Sequence, residues 1–243
     1  MAAALSWTTG ERDGCMIVTV QGRLELSGTP RLQGVLQKCL AEQPAALLAD
    51  LSEMSLGEET ALSVFTTIHH QSAIWPGTPV LVCAPRGEVA DLLSRHRYGT
   101  LQVRAGVEEA VGEVTRNEVV VQMITDQLLP VTGAARHARD LATEACLRWS
   151  LPDLIGPVSV IVTELVTNAV EHASTMITLT LTRRNRYLHL AVRDGSDRPP
   201  EPRLPEGDDA DRGRGLLLVD SLAVDWGWLP TRDGKVVWAT LAL

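Results

Sequence analysis

Aromatic residues are scarce in this chain of 243 residues, with one Phe, two Tyr and six Trp. Its cores must therefore be built from Leu, Val, Ala and Ile, a composition that suits layered packing of helices and sheets. An excess of basic charge is also missing. The net charge of -8 and a pI near 5.3 exclude a broad nucleic-acid surface, which depends on clustered Lys and Arg. The four cysteines, Cys15, Cys39, Cys83 and Cys146, form no CxxC pair, so neither a zinc site nor a disulfide framework is indicated. A reduced, cytoplasmic compartment is expected. Long apolar runs are absent too. The opening MAAALSWTTGER has no basic start followed by an apolar stretch, and no later run approaches a membrane span, so a soluble chain with no membrane partner is expected. Disorder is excluded in turn, because 45% of the residues are hydrophobic.

What is present reads as alternating strands and helices. The β-branched run CMIVTVQGRL predicts a strand over 15–24, and Leu32, Val35, Leu36 and Leu40 predict a helix from Thr29 to Leu40. Strands follow at 45–51 and 79–83, helices at 60–74 and 88–96, then a strand near 100–104 and a short helix ending near Glu113. This order predicts an α/β domain over residues 1–115. A polar stretch at 112–117 precedes a second series that begins with an apolar strand at 119–124. Helices are expected at 133–149 and 154–173, separated by Ser150, Pro152 and Asp153, which combine stop and start signals. The period then changes to two: Ile177, Leu179 and Leu181, then Leu188, Leu190 and Val192, alternate with polar residues and predict a hairpin. Residues 197–212 are rich in Pro, Asp and Arg and read as a loop. A short helix at 216–222 and two strands joined at Asp233-Gly234 close the domain, taken as 118–243.

The helix at 154–173 carries an unusual polar side. Ile161, Val162, Leu165, Val166, Ala169 and Ala173 mark its core face, while Glu164, Asn168, Glu171 and His172 share the other. Any surface helix has a polar face. Yet a carboxylate one turn before a carboxamide can divide two tasks, Glu164 accepting a proton and Asn168 offering an oxygen to a hard metal that bridges phosphates. Asp194 ends a strand and Gly195 allows a tight turn. A carboxylate so placed can close an ordinary strand-to-loop turn or accept a hydrogen bond from an adenine amino group. Gly213, Arg214 and Gly215 precede a helix, where free N–H groups and the positive helix end can face phosphate. His69-His70, neighbours in a helix, project in different directions and make a poor metal pair. Trp226, Trp228 and Trp238 alternate along strands and read as core or sheet-face residues.

In order along the chain, ELVTNAVEHA, VRDGS and GRGL resemble the N, G1 and G2 boxes of the GHKL ATPase superfamily. The pattern ExxxNAxxH, met by Glu164, Asn168, Ala169 and His172, is similar to the anti-sigma factor serine kinase branch. The resemblance implies a C-terminal GHKL (Bergerat) two-layer α/β sandwich that binds ATP and magnesium. It implies that Asn168 holds magnesium, Glu164 is the general base, and Asp194, beside Gly195, reads adenine. Gly213 and Gly215 would cradle phosphates together with Arg214, His172 would border the nucleotide, and residues 197–212 would be a lid. Arg136 or Arg139 would stand where the kinases use an arginine for phosphate or partner contact, and an exposed helical arginine is the other reading of each. The superfamily has a glycine two positions after the G1 aspartate; here Ser196 puts a side chain where backbone freedom is expected.

The first half, in particular DLSEMSLGEETALSVF, resembles the STAS domain of anti-anti-sigma factors. Aligned from Asp50, Thr60 stands at that family's phosphorylated hydroxyl, with Glu58, Glu59 and Ala61 replacing the rest of its D-S-S/T-G motif. Thr60 reads equally as a helix N-cap, and Glu58 and Glu59 would repel a phosphate donor. The two resemblances together imply a regulator whose partners are a STAS-domain anti-anti-sigma protein, a sigma factor or both, without direct nucleic-acid contact. A protein serine/threonine kinase and a non-catalytic, nucleotide-dependent switch both fit that pattern. Monomer and homodimer both stand open.

Overall fold

The computed structural model describes residues 4–94, 98, 100–116, 121–200 and 215–243. The chain divides into two compact units, Met1–Val119 and Val120–Leu243.

In the first unit a five-stranded sheet has the order β1-β2-β3-β4-β5, with β1 (Ser6–Arg12), β2 (Cys15–Leu24), β3 (Ala46–Leu56), β4 (Val80–Cys83) and β5 (Gln102–Arg104). All neighbours are parallel except β1 and β2. Strand β1 is absent from the sequence-based expectation. It lies at the sheet edge with every residue but Trp7 exposed, so it shows no apolar alternation. Its signal is the turn Asp13-Gly14, with φ of 49° and 73°, the positive pair that a two-residue hairpin requires. Strand β3 runs five residues beyond the expected Leu51, because its end Ser52–Leu56, where Ser52, Glu53 and Ser55 interrupt the apolar run and only Met54 is buried, stays paired with β2 across an irregularity at Thr19/Gln21.

Helices α1 (Thr29–Ala41), α2 (Ser63–Ile74) and α3 (Gly87–Leu93) bury Leu32, Leu36, Phe65, Ile68 and Leu92 against Val18, Val20, Leu47 and Val82. Helix α4 (Val107–Arg116) packs Ala110 and Val111 with Cys15, Leu48, Leu81 and Cys83. These sets alternate along β2, β3 and β4, so the sheet is covered on both faces, as parallel strands require.

In the second unit a five-stranded antiparallel sheet has the order β6-β7-β8-β10-β9. Its strands are β6 (Gln122–Leu128), β7 (Ile177–Arg183), β8 (Tyr187–Asp194), β9 (Asp225–Pro230) and β10 (Lys235–Ala242). Helices α5 (Ala134–Arg148), α6 (Ile155–His172) and α7 (Gly215–Leu222) complete it. Strand β6 extends to Leu128 rather than ending at Ile124; of the expected start, residues 119 and 120 lie outside the described residues. Ser150 closes α5 with φ of 59°, and Leu151 N–H returns to the Cys146 carbonyl at 2.8 Å, a left-handed helix cap. Pro152–Leu154 then forms one 3₁₀ turn before α6.

Ala138, Ala142 and Ala145 of α5 let α6 approach closely, and Val158, Ile161, Val162, Leu165 and Val166 of α6 pack onto Leu179, Leu190, Val192 and Ala239. The span Pro152–His172 reaches a mean hydropathy of 1.4 and is long and apolar enough to cross a membrane by composition alone. That corrects the expectation that no segment approaches this length. Here its apolar side is taken up by the core, which leaves one polar side for a site.

Candidate functional site

Helix α6 brings Glu164, Asn168, Glu171 and His172 to one wall through spacings of four, three and one residues. All four line a cavity of about 330 Å³ together with Asp194, Ser196, Gly215 and Lys235. That is within the usual size range of small-molecule pockets. Leu165, Ala169, Leu216 and Val237 supply apolar lining. Asn168 is half-buried and makes no side-chain hydrogen bond among the described residues, so its carboxamide is available to a ligand. Burial, and then the charge of Glu171, push the Glu164 carboxyl above its ordinary value. A carboxylate so shifted is a better proton acceptor near neutral pH.

Asp194 ends β8 and is buried. Its Oδ1 accepts from Lys235 Nζ at 2.9 Å and from the Ser196 N–H at 2.8 Å. Lys235 is buried as well, directly opposite Asp194 across the β8–β10 ladder. This lysine was missed in the sequence. Its signal is a charge opening the run KVVWATLAL, apolar but for Thr240, which places an ammonium in a strand that must be buried.

The turn after Asp194 differs from expectation. Neither Gly195 nor Ser196 has a positive φ, so Ser196 is accommodated without backbone strain. Gly195 is closely packed: a Cβ there would stand 3.1 Å from the Thr175 side chain, which would have to give by a few tenths of an ångström, and Thr175 Oγ1 accepts the Gly195 N–H at 2.8 Å. Gly195 itself does not line the cavity. Gly234 is tighter still, since a Cβ on it would overlap the Asp194 carbonyl and the Gly195 backbone. At Gly215 a Cβ would overlap Glu164 Oε2. The glycine that opens α7 therefore admits the carboxylate of α6.

Gly213 and Arg214 lie outside the described residues, as does most of the expected lid; of that segment Arg198, Pro199 and Pro200 line the cavity. Arg136 and Arg139 are exposed on α5 and are not among the lining residues. In the first unit, Thr60 is exposed inside the 3₁₀ turn Glu59–Leu62. It is not an N-cap: Glu58 precedes the turn, and no side chain caps it.

Residues 131–241 match the family model of the histidine kinase-like ATPase domain. The match runs from the segment before α5 into β10 and so covers both walls of the cavity. The second unit is thus a histidine kinase-like ATPase domain in a mixed α/β chain. The N-terminal part is similar to an anti-sigma factor antagonist from Mycobacterium paratuberculosis, 22% identical, over 46% of this chain and 95% of that one, with a TM-score of 0.40. It is also similar to the anti-sigma factor antagonist SpoIIAA in its unphosphorylated form, 11% identical over 46% of this chain and 97% of that one, with a TM-score of 0.39. The Bacillus cell fate determinant SpoIIAA in the phosphorylated form gives 10% identity, coverage of 45% and 99%, and a TM-score of 0.37. No curated protein sequence matches the chain.

The ATPase domain implies a nucleotide. Among the described residues no group of three or more His, Cys, Asp or Glu could hold a metal ion by itself. Magnesium carried by phosphates needs less, because it retains waters and takes only one or two protein oxygens. Asn168, which lines the cavity with no side-chain hydrogen bond among the described residues, fits that requirement.

Proposed function

We propose that the second unit binds ATP with magnesium and transfers the γ-phosphoryl group to a Ser or Thr hydroxyl of a STAS-domain partner. The observation that carries this reading is the convergence of Glu164, Asn168 and Asp194 on one cavity of an ATPase-like unit. Asp194 would accept from the adenine amino group, while Asn168 would hold the magnesium that shields the phosphates. Glu164 would take the hydroxyl proton as the oxygen bonds to the γ-phosphorus and the bond to the β–γ bridging oxygen breaks, releasing ADP. The raised proton affinity of Glu164 supports that role.

Partner choice rests on the sequence resemblance of the first unit to STAS domains, which supports a regulator of the anti-sigma-factor type. Phosphate added to a packed partner surface would release it and leave the ATPase-like unit free for a sigma factor. A tethered STAS-like unit would meet its neighbour at an effective concentration approaching about millimolar, as an internal competitor or, through exposed Thr60, an internal substrate. Four buried cysteines, none of them in a disulfide, agree with a reduced compartment.

The test is incubation of the full chain with γ-labelled ATP, magnesium and a STAS-domain protein. Labelling of the partner that is lost in Glu164→Ala is the expected result. ATP binding without any label in wild type would replace the kinase by a nucleotide-dependent switch.

A further inference from the structure

Asp194 and Lys235 present a paired acceptor and donor to the cavity they both line. Asp194 Oδ1 is already taken by Lys235 Nζ at 2.9 Å and by the Ser196 N–H at 2.8 Å. Oδ2 is left without a hydrogen bond among the described residues. Lys235 Nζ also reaches the Ser196 carbonyl at 3.5 Å, and one of its three N–H groups remains without a partner among those residues. One open acceptor therefore stands next to one open donor, held in place by burial and by the strand register.

The Watson–Crick edge of adenine offers the complement of this pair, an N6–H donor beside the N1 acceptor. We propose that Lys235 is a base-reading residue, donating to adenine N1 while Asp194 Oδ2 accepts N6–H. This rests on reading the cavity as an ATP site, and assigns purine selectivity to two residues rather than to the aspartate alone. Guanine fits less well. Its O6 and N1–H can meet the same pair, but the 2-amino group needs a second acceptor. Oδ1 is already engaged, and the apolar part of the lining, Ala169, Leu216 and Val237, offers none. A buried donor left unpaired is a strong ground for rejection.

The experiment titrates the full chain with magnesium and ATP, 1-deaza-ATP, in which ring N1 becomes C–H, or GTP, for wild type and Lys235→Met. A hydrogen bond from a charged donor predicts that wild type binds 1-deaza-ATP about 10- to 100-fold more weakly than ATP. In Lys235→Met that difference should collapse towards unity, and GTP should bind wild type more weakly than ATP. Equal affinity of wild type for ATP and 1-deaza-ATP overturns the role of Lys235 while leaving the ATP site standing. So does tighter ATP binding by Lys235→Met, which would make the lysine a competitor for Asp194. Binding of none of the nucleotides overturns both readings. Should Lys235→Met fail to fold, the wild-type comparison decides alone.

Discussion

Separating Asp194 from Lys235 should unmask how strongly the nucleotide wall depends on one buried ion pair. Nζ and Oδ1 are 2.9 Å apart, and the two side chains are 6% and 2% exposed. At an effective dielectric of about 20 their attraction is about 6 kcal/mol, against a desolvation cost of several kcal/mol per ion. The intact pair therefore contributes little net stability, whereas losing one member leaves a charge buried alone. Lys235→Met and Asp194→Asn should each cost about 3–5 kcal/mol. Asp194→Asn should be at least as costly, because the remaining ammonium keeps only the 3.5 Å contact to the Ser196 carbonyl, whereas Asp194 in Lys235→Met keeps the Ser196 N–H. The double variant, with no charge left, should be more stable than either single one. Urea unfolding without nucleotide, followed by tryptophan emission, measures this, with Trp149, Trp226, Trp228 and Trp238 reporting the second unit. At a urea dependence of about 2 kcal/mol per molar, each single midpoint should fall by about 2 M. A double variant that costs the sum of the two singles would mean that neither single variant leaves a charge buried alone.

Two glycine substitutions should separate activity from stability. Gly215→Ala meets the movable carboxylate of Glu164 and should lower the phosphoryl-transfer rate far more than the melting temperature. Gly234→Ala meets the backbone of Asp194 and Gly195 and should cost about 1–3 kcal/mol or more in a denaturation curve. The rate should fall on the acid side of a limb lying above the ordinary Glu value, because Glu164 must be ionised to accept a proton and burial and Glu171 favour its protonated form. Glu171→Gln should move that limb to lower pH in a pH–rate profile. Buried His189 has its pKa lowered from 6.5 to about 4, by desolvation first and then by Arg184. Its native state binds the proton less readily than the unfolded chain, so stability is complete above about pH 6.5 and is lost as pH falls towards 4. At about 1.4 kcal/mol per pH unit the loss is about 3 kcal/mol. His189→Leu should flatten that part of a stability-versus-pH curve.

The polar wall of α6 was legible in the sequence because helical periodicity places Glu164, Asn168, Glu171 and His172 together without reference to any other element. The alternation in β7 and β8 was legible for the same local reason. Strand β1 was not, since an exposed edge strand has no apolar period and only Asp13-Gly14 betrays it. The end of β3 was hidden because its polar residues belong to the sheet through pairing, not through burial. The Asp194–Lys235 pair needed the register of two strands 41 residues apart, and no local pattern encodes that register. The close approach of Thr175 to Gly195, and the space that Glu164 demands beside Gly215, are likewise set by packing between distant segments.

Whether the cavity between α6, β8 and β10 is an ATP site is decided by calorimetric titration of the full chain with ATP and magnesium. Saturable binding of one nucleotide per chain is expected, strongly weakened in Asn168→Ala when magnesium is present. No binding heat from wild type at any temperature tried, with its melting temperature unmoved by ATP, would contradict it.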